Sequence, residues 1–210
     1  MQLILDKMAA AVVTAVVFLV LFGLQTRVQG DSIGETVSYM AKKQTLAFAE
    51  VLERDFANAG FMTAPGQDAI LKYSNSTADS VEYTELIEFV GMGSNGSQAG
   101  IRYVTSQVDS TYSDGNVVPT FEVLRYENLG SGWKISGGSM STLTDFDISL
   151  LDENNNGANM SNTRKIRIRL VNAVEIKRST DRNFVNARIK DLRWGITLTP
   201  RGLSQQLYQG

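Results

Sequence analysis

The sequence predicts an α+β protein in which a long N-terminal helix, membrane-spanning in its first half, packs its second half on a mainly antiparallel β-sheet head. Three observations predict it. Met8 to Leu24 is an apolar run without a charge, apolar residues then recur at three- and four-residue spacings as far as Ala59, and from Val81 the period drops to two. The chain divides accordingly into a stalk over residues 1–60 and a head over residues 61–210.

At about 1.5 Å of rise per residue, the run from Met8 to Leu24 covers roughly 25 Å of hydrocarbon. Leu3, Ile4 and Leu5 extend it to the width of a bilayer. A cleaved secretory signal has an apolar core of roughly 7 to 15 residues followed by a small-residue site. Here the run is longer and ends in Leu24-Gln25-Thr26-Arg27, so it reads as retained. Lys7 before it and Arg27 after it nearly cancel, and the positive-inside rule gives no orientation.

Beyond Arg27 two apolar series keep the helical period: Ile33, Val37, Met40, Ala47 and Val51, and Phe48, Leu52, Phe56 and Ala59. Both are expected to face the head. Gly30 and Gly34 each cost about 1 kcal/mol relative to alanine, which predicts a bend or melted turn, or else a short loop with Asp31 or Ser32 capping a second helix. Gly60 is the expected C-cap, and Pro65 limits any continuation.

The expected strands are Val81 to Val90, Ile101 to Val108, Thr120 to Tyr126, Trp133 to Ser136, Asp145 to Leu151, Arg164 to Ile176 and Asn186 to Thr199. In Lys165-Ile166-Arg167-Ile168-Arg169-Leu170 the alternation sets three cations on one face and three apolar side chains on the other, so one face is solvated. Gly93-Ser94-Asn95-Gly96, Ser113-Asp114-Gly115-Asn116, Gly130-Ser131-Gly132 and Asn154-Asn155-Asn156-Gly157 are turn signals. Short spacings and the lack of a second helical pattern favour an antiparallel sheet covered by the stalk.

Composition narrows function. The chain has no histidine and no cysteine, which removes the commonest general base, the commonest zinc ligands, disulfides and thiol nucleophiles. Glu82, Glu85 and Glu88 can be imagined as catalytic acids, but without histidine a nucleophilic serine would need a lysine or another base, and no flanking pattern marks Lys72, Lys134 or Lys190 for that work. The chain reads as non-enzymatic. The aromatic residues, Phe48, Phe56, Tyr83, Phe89, Phe121, Tyr126, Trp133, Phe146 and Trp194, read as core and cross-strand packing. A net charge of -2 gives no sign of a nucleic-acid partner.

Asp152, Asn154 and Asn156, followed by Gly157, match the first half of a calcium loop, so calcium is the one cofactor the sequence raises. Position twelve of that loop is Thr163, where the bidentate glutamate would stand, and a plain Asn-Gly turn accounts for the same residues. Charge is also unevenly spread. Residues 67–122 hold eight acids and two bases, and residues 164–201 hold eleven bases and three acids. That distribution suits contacts between neighbouring heads, or two solvated faces meeting within one head, or a basic face for anionic lipid or polysaccharide.

An apolar span, a continuous amphipathic helix ending in Glu53-Arg54-Asp55-Phe56-Ala57-Asn58-Ala59-Gly60-Phe61 and an antiparallel head resemble type IV pilins and type II secretion pseudopilins. The later succession of a strand around Phe121 to Tyr126, Gly132-Trp133, a strand around Phe146 to Leu151, an Asp/Asn/Gly turn and Ile166 to Val171 is similar to that of their larger minor subunits. The resemblance implies a structural subunit that inserts in membrane lipid and then assembles with copies of itself or related subunits into a filament or pseudopilus. The head would lie on the extracytoplasmic side, and the assembled filament outside the cell. Family members carry a leader and a glutamate at the fifth mature position, whereas this chain begins at Met1 and has Leu5. Asp6 is the nearest acid and would meet a neighbour's terminal amine, or else pair with its own Lys7. Val13, Val17 and Leu21 would form the packing face with them. The other reading is a membrane-anchored binding or accessory subunit of an envelope complex.

Overall fold

The computed structural model describes residues 2–64, 66–113, 116–139, 141–176 and 188–204. Helix α1 (Gln2–Ala57) is continuous. Neither the melted turn expected at Gly30 and Gly34 nor the alternative loop there is present, the helix running unbroken through both. Each glycine extends a helix already nucleated on either side, so its one intrahelical bond outweighs a propensity cost of about 1 kcal/mol. At the far end the Asn58 and Ala59 amides reach back three residues, to the Asp55 and Phe56 carbonyls, and tighten the last turn. Gly60 then takes the left-handed conformation, with φ of 80°, and its N–H leaves the helix for the Val90 carbonyl at 2.7 Å.

The head is one eight-stranded antiparallel sheet built from β1 (Ile70–Ala78), β2 (Val81–Met92), β3 (Gln98–Ser113), β4 (Asn116–Asn128), β5 (Trp133–Gly138), β6 (Leu143–Leu151), β7 (Lys165–Ile176) and β8 (Arg188–Leu198). The order is β1-β2-β3-β4-β6-β7-β8, with β5 attached to β4. The far edge of β4 is shared: Leu124 to Asn128 pair with β5, and Phe121 pairs with Leu143 of β6. Where β2 parts from β3, before Leu86, β6 comes alongside it. The Thr84 hydroxyl accepts the Ile148 N–H at 2.9 Å and the Tyr73 hydroxyl donates to the Ile148 carbonyl, so side chains complete this part of the sheet.

Strand β1 was not among the expected strands. Its sequence, ILKYSNSTA, lacks apolar alternation because it is an edge strand with only Ile70 fully buried. The turn after it was equally concealed. Asp79 and Ser80 both have positive φ, the two-residue hairpin geometry that usually advertises itself with Asn-Gly. The Asp114-Gly115 turn lies outside the described residues, with Ser113 paired to Asn116 on either side of it.

Only one of the two apolar series on the helix is buried against the sheet; of the other, Val51 alone is half-buried, at its edge. Phe48, Leu52, Phe56 and Ala59 are buried in a single core with Phe89, Tyr103, Phe146, Ile148 and the inward Ile166, Ile168 and Leu170 of β7. The Phe56 ring lies 4.7 Å from that of Phe89 and 5.6 Å from that of Tyr103. Ile33, Val37 and Met40 instead remain exposed, because they lie roughly 100° around the helix from that stripe. A four-residue helix, α2 (Arg201–Ser204), closes the far end by burying Leu203. Its Gly202 lies against Gly60 so closely that an added Cβ would stand 2.3 Å from the Gly60 carbonyl carbon.

Phe56 is wholly buried, so Phe56→Ala should lower the unfolding free energy by about 3–5 kcal/mol in a denaturant titration. Met40→Ala, on the exposed face, should change it by less than about 0.5 kcal/mol. Equal effects would place Met40 in the core.

Candidate functional site

The feature that asks for a function is the first half of α1. Among the described residues it is the one helix long and apolar enough to cross a membrane, and none of its apolar window is buried by the head. Val13, Val17 and Leu21 are 62%, 51% and 58% exposed. Spaced four apart, they form one ridge along the helix. The threonine hydroxyls in this stretch are answered locally. Thr14 donates its hydroxyl to the Ala10 carbonyl at 2.8 Å, and Thr26 bonds to the Phe22 and Gly23 carbonyls, so no hydroxyl there needs water. Asp6 and Lys7 lie at the beginning of the same helix, and Lys7 is exposed.

Past this segment the exposed stripe continues through Val28, Ile33, Val37 and Met40, and Tyr39 stands out beside it. Apolar surface in water is costly at about 25 cal/mol per Å², so a stripe of this length calls for lipid or protein against it.

The second constellation is a buried ionic network that the sequence reading missed. Asp55 accepts a hydrogen bond from the Tyr103 hydroxyl at 2.7 Å and a close one from Arg125 Nε on the same carboxylate oxygen, while Arg54 holds the other oxygen at 2.9 Å. Arg125 Nη1 reaches on to Glu127 and to the Ser136 hydroxyl. Glu127 in turn accepts from the Ser94 N–H at 2.6 Å and the Ser94 hydroxyl at 3.0 Å. Five elements or turns are thus tied together: the helix end, β3, β4, β5 and the turn between β2 and β3.

Burial pushes the Arg125 pKa down, but the hydrogen bond and charge of Asp55 outweigh it and the net shift is upward. For Glu127, burial acts upward and the Ser94 and Arg125 hydrogen bonds more than reverse it. Both groups are therefore held ionised. The network's signal was present in the sequence. Asp55 stands three residues after Leu52, on the core stripe, and Phe121, Val123, Arg125 and Glu127 alternate onto the inner face of β4. Nothing in the spacing alone paired them.

The calcium-loop candidates are brought together in one turn. The Asp152 carboxylate accepts the Asn154 and Asn156 backbone N–H groups, both at 2.8 Å, and the Asn156 amide approaches it at 3.4 Å. Lys165 supplies a cation to the same loop, donating to the Glu153 carbonyl and Asn155 Oδ1 at 2.9 Å. The Asn156 backbone N–H first, then the Asn156 side-chain amide, the Asn154 N–H and the Lys165 charge, hold the Asp152 carboxyl below its usual range. The Asp152 carboxylate is thus engaged by the loop's own N–H groups, and Lys165 holds the Glu153 carbonyl and Asn155 Oδ1.

The charge asymmetry is partly closed within the head. Glu88 pairs with Arg102 at 2.7 Å and with Lys72 at 3.8 Å, Asp147 of β6 pairs with Arg169 at 2.6 Å, and Asp191 pairs with Arg193 at 3.3 Å. Trp133 lies under Arg102, whose guanidinium carbon is 3.9 Å from the ring centre, on the opposite side of the sheet from the helix-covered core.

No family model matches the chain, and neither a curated protein nor a solved structure matches it.

Two measurements follow from this geometry. Burial raises the Tyr103 phenol well above the ordinary phenol range, with the Asp55 charge adding to the shift, and burial moves Tyr73 the same way. The native state thus holds these protons more tightly than the unfolded chain. Their stabilisation is complete below the unfolded phenol pKa of about 10 and is lost as pH rises beyond it. Denaturant titrations should show stability falling above that pH, and Tyr103→Phe should flatten the fall. Millimolar calcium or a chelator should leave the melting temperature unchanged. A calcium-dependent rise that Asp152→Ala abolishes would assign the loop to a metal.

Proposed function

We propose that this chain is a non-enzymatic, pilin-like structural subunit, anchored by its apolar helix before assembly and joined through that helix to copies of itself or related subunits. The reading puts the head outside the cytoplasm and the helix in the interior of a filament or pseudopilus. The observation that carries it is the continuity of α1. One helix is bare and apolar over its first half and is the wall of a β-sheet core over its second. A rigid rod of that kind transmits the position of its apolar end to the head, as lateral packing of subunits requires.

Lipid satisfies the bare segment of a single subunit, and neighbouring helices satisfy it equally well, because packing between apolar helices replaces packing against acyl chains. A reversible exchange between the two solvents is therefore open to this segment. Val13, Val17 and Leu21 form the ridge for it. Asp6 and Lys7, at its mouth, are the charges that a neighbour's terminus would meet.

Val17→Arg puts a cation at mid-span, which costs roughly 2.5–3.5 kcal/mol on insertion scales. Membrane retention and filament yield should both be lost, as read by fractionation and by electron microscopy of sheared surface material. If the variant fractionates and assembles like the parent, the helix is neither anchor nor assembly face. An anchored parent that forms no filaments, and instead co-purifies with a fixed set of other membrane proteins, would establish the accessory-subunit reading.

A further inference from the structure

A cleft of about 470 Å³ opens between the second half of α1 and the end of β5, a volume in the range of small-molecule sites. Its helix wall runs from Gln44 to Arg54, about 15 Å along the axis, and changes character over that length. Gln44 and Thr45 stand at one end, where the Asn172 amide donates to the Thr45 hydroxyl at 2.7 Å and ties helix to sheet. Ala47, Phe48 and Val51 follow, and Leu143 of β6 adds to this apolar part. Arg54 stands at the other end, and Arg125 of β4 lies beside it, since both bond to Asp55.

The charged residues of the lining are these two arginines, with no acid among them. Arg125 is 4% exposed, and its Nε and Nη1 are taken by Asp55, Glu127 and Ser136. Its Nη2 makes no hydrogen bond among the described residues. That nitrogen is not sealed either, because the sealed side-chain atoms without a partner belong to Thr63, Thr105 and Asn172. The Nη2 edge therefore opens on the cleft. Arg54 gives its Nε and Nη2 to Asp55, which leaves its Nη1 uncommitted. Asp55 and Glu127 hold these guanidiniums from outside the lining, so the cleft meets a cationic end although the four charges sum to zero. A single negative charge suits that balance. A doubly charged group would leave twice the surplus beside two buried carboxylates.

We propose that the cleft binds a linear amphipathic carboxylate, its head on Arg125 Nη2 and Arg54 Nη1 and its alkyl body along Ala47, Phe48 and Val51. The carboxylate supplies the acceptor that the buried guanidinium edge lacks, in the planar fork geometry that suits it. The alkyl body covers the apolar part of the wall. The proposal is independent of whether the chain assembles through its helix.

The test uses the full chain in lipid nanodiscs and a diazirine analogue of octanoic acid, with photo-adducts mapped by mass spectrometry. Adducts are expected on residues 44–51 or 137–143, suppressed by excess octanoate, less by octyl phosphate and not by octanol. Arg54→Gln should weaken the competition by octanoate about tenfold, the loss of one charge-assisted bond. Ala47→Trp fills the cleft from an exposed helix position and should abolish these adducts with the melting temperature unchanged. Octanol competing as well as octanoate, or adducts that survive Ala47→Trp, would overturn the proposal. Adducts confined to the bare segment of α1 would overturn it too, since partition into lipid then accounts for the labelling. Octyl phosphate competing better than octanoate would overturn the assignment to a carboxylate.

Discussion

The buried carboxylate of Asp55 is the point through which helix and sheet are held in one register. It lies on the last full turn of α1, almost wholly out of solvent, and its oxygens are claimed by Tyr103, Arg125 and Arg54. A charge in that position is tolerable only when its partners are in place, and removing one partner of a buried pair typically costs about 3–5 kcal/mol. The aromatic stripe beside it drives burial but is indifferent to small rotations, since apolar contact is non-directional. The ionic network is not. It specifies which residue of β4 meets which turn of the helix, and through Glu127 and Ser94 it carries that constraint to the turn between β2 and β3.

That register matters because the two halves of α1 have different surroundings. Its second half is part of a protein core, where Phe48, Leu52 and Phe56 displace water against the sheet. Among the described residues, the apolar window of its first half is not buried by the head and has no unanswered threonine hydroxyl. The absence of a break at Gly30 and Gly34 makes one rod of the two halves. The position of the apolar end and that of the head are therefore linked by one continuous helix, with no loop between them.

Between the bare apolar segment and the core lies a stretch that belongs to neither. Ile33, Val37 and Met40 share the helical period with the buried stripe but are turned away from it. Periodicity reports that a helix has apolar faces, and it does not say which of two neighbouring faces meets the sheet. A larger sheet could have covered both. This one covers one, because its strands are committed to Phe48, Leu52, Phe56 and Ala59, and the cleft beside β5 begins where that coverage ends.

The sequence by itself determined the helix, its change of character near Arg27 and the strands whose apolar residues alternate, since each is a local pattern that the backbone period converts directly into a face. Lys165 to Leu170 is the clearest instance: Ile166, Ile168 and Leu170 are buried and Arg169 is exposed. Strand β1 was illegible for the corresponding reason. An edge strand buries little, and its turn uses Asp79 and Ser80 in a conformation that neither residue announces. The candidate sites divide in the same way. The bare apolar segment could be read from composition alone, whereas the Asp55–Arg125 pair and the Thr45–Asn172 bond bring together residues 70 and more apart in the chain. Only the tertiary structure decided them, because hydrogen bonding depends on position in space and no local pattern encodes a partner that the fold has still to deliver.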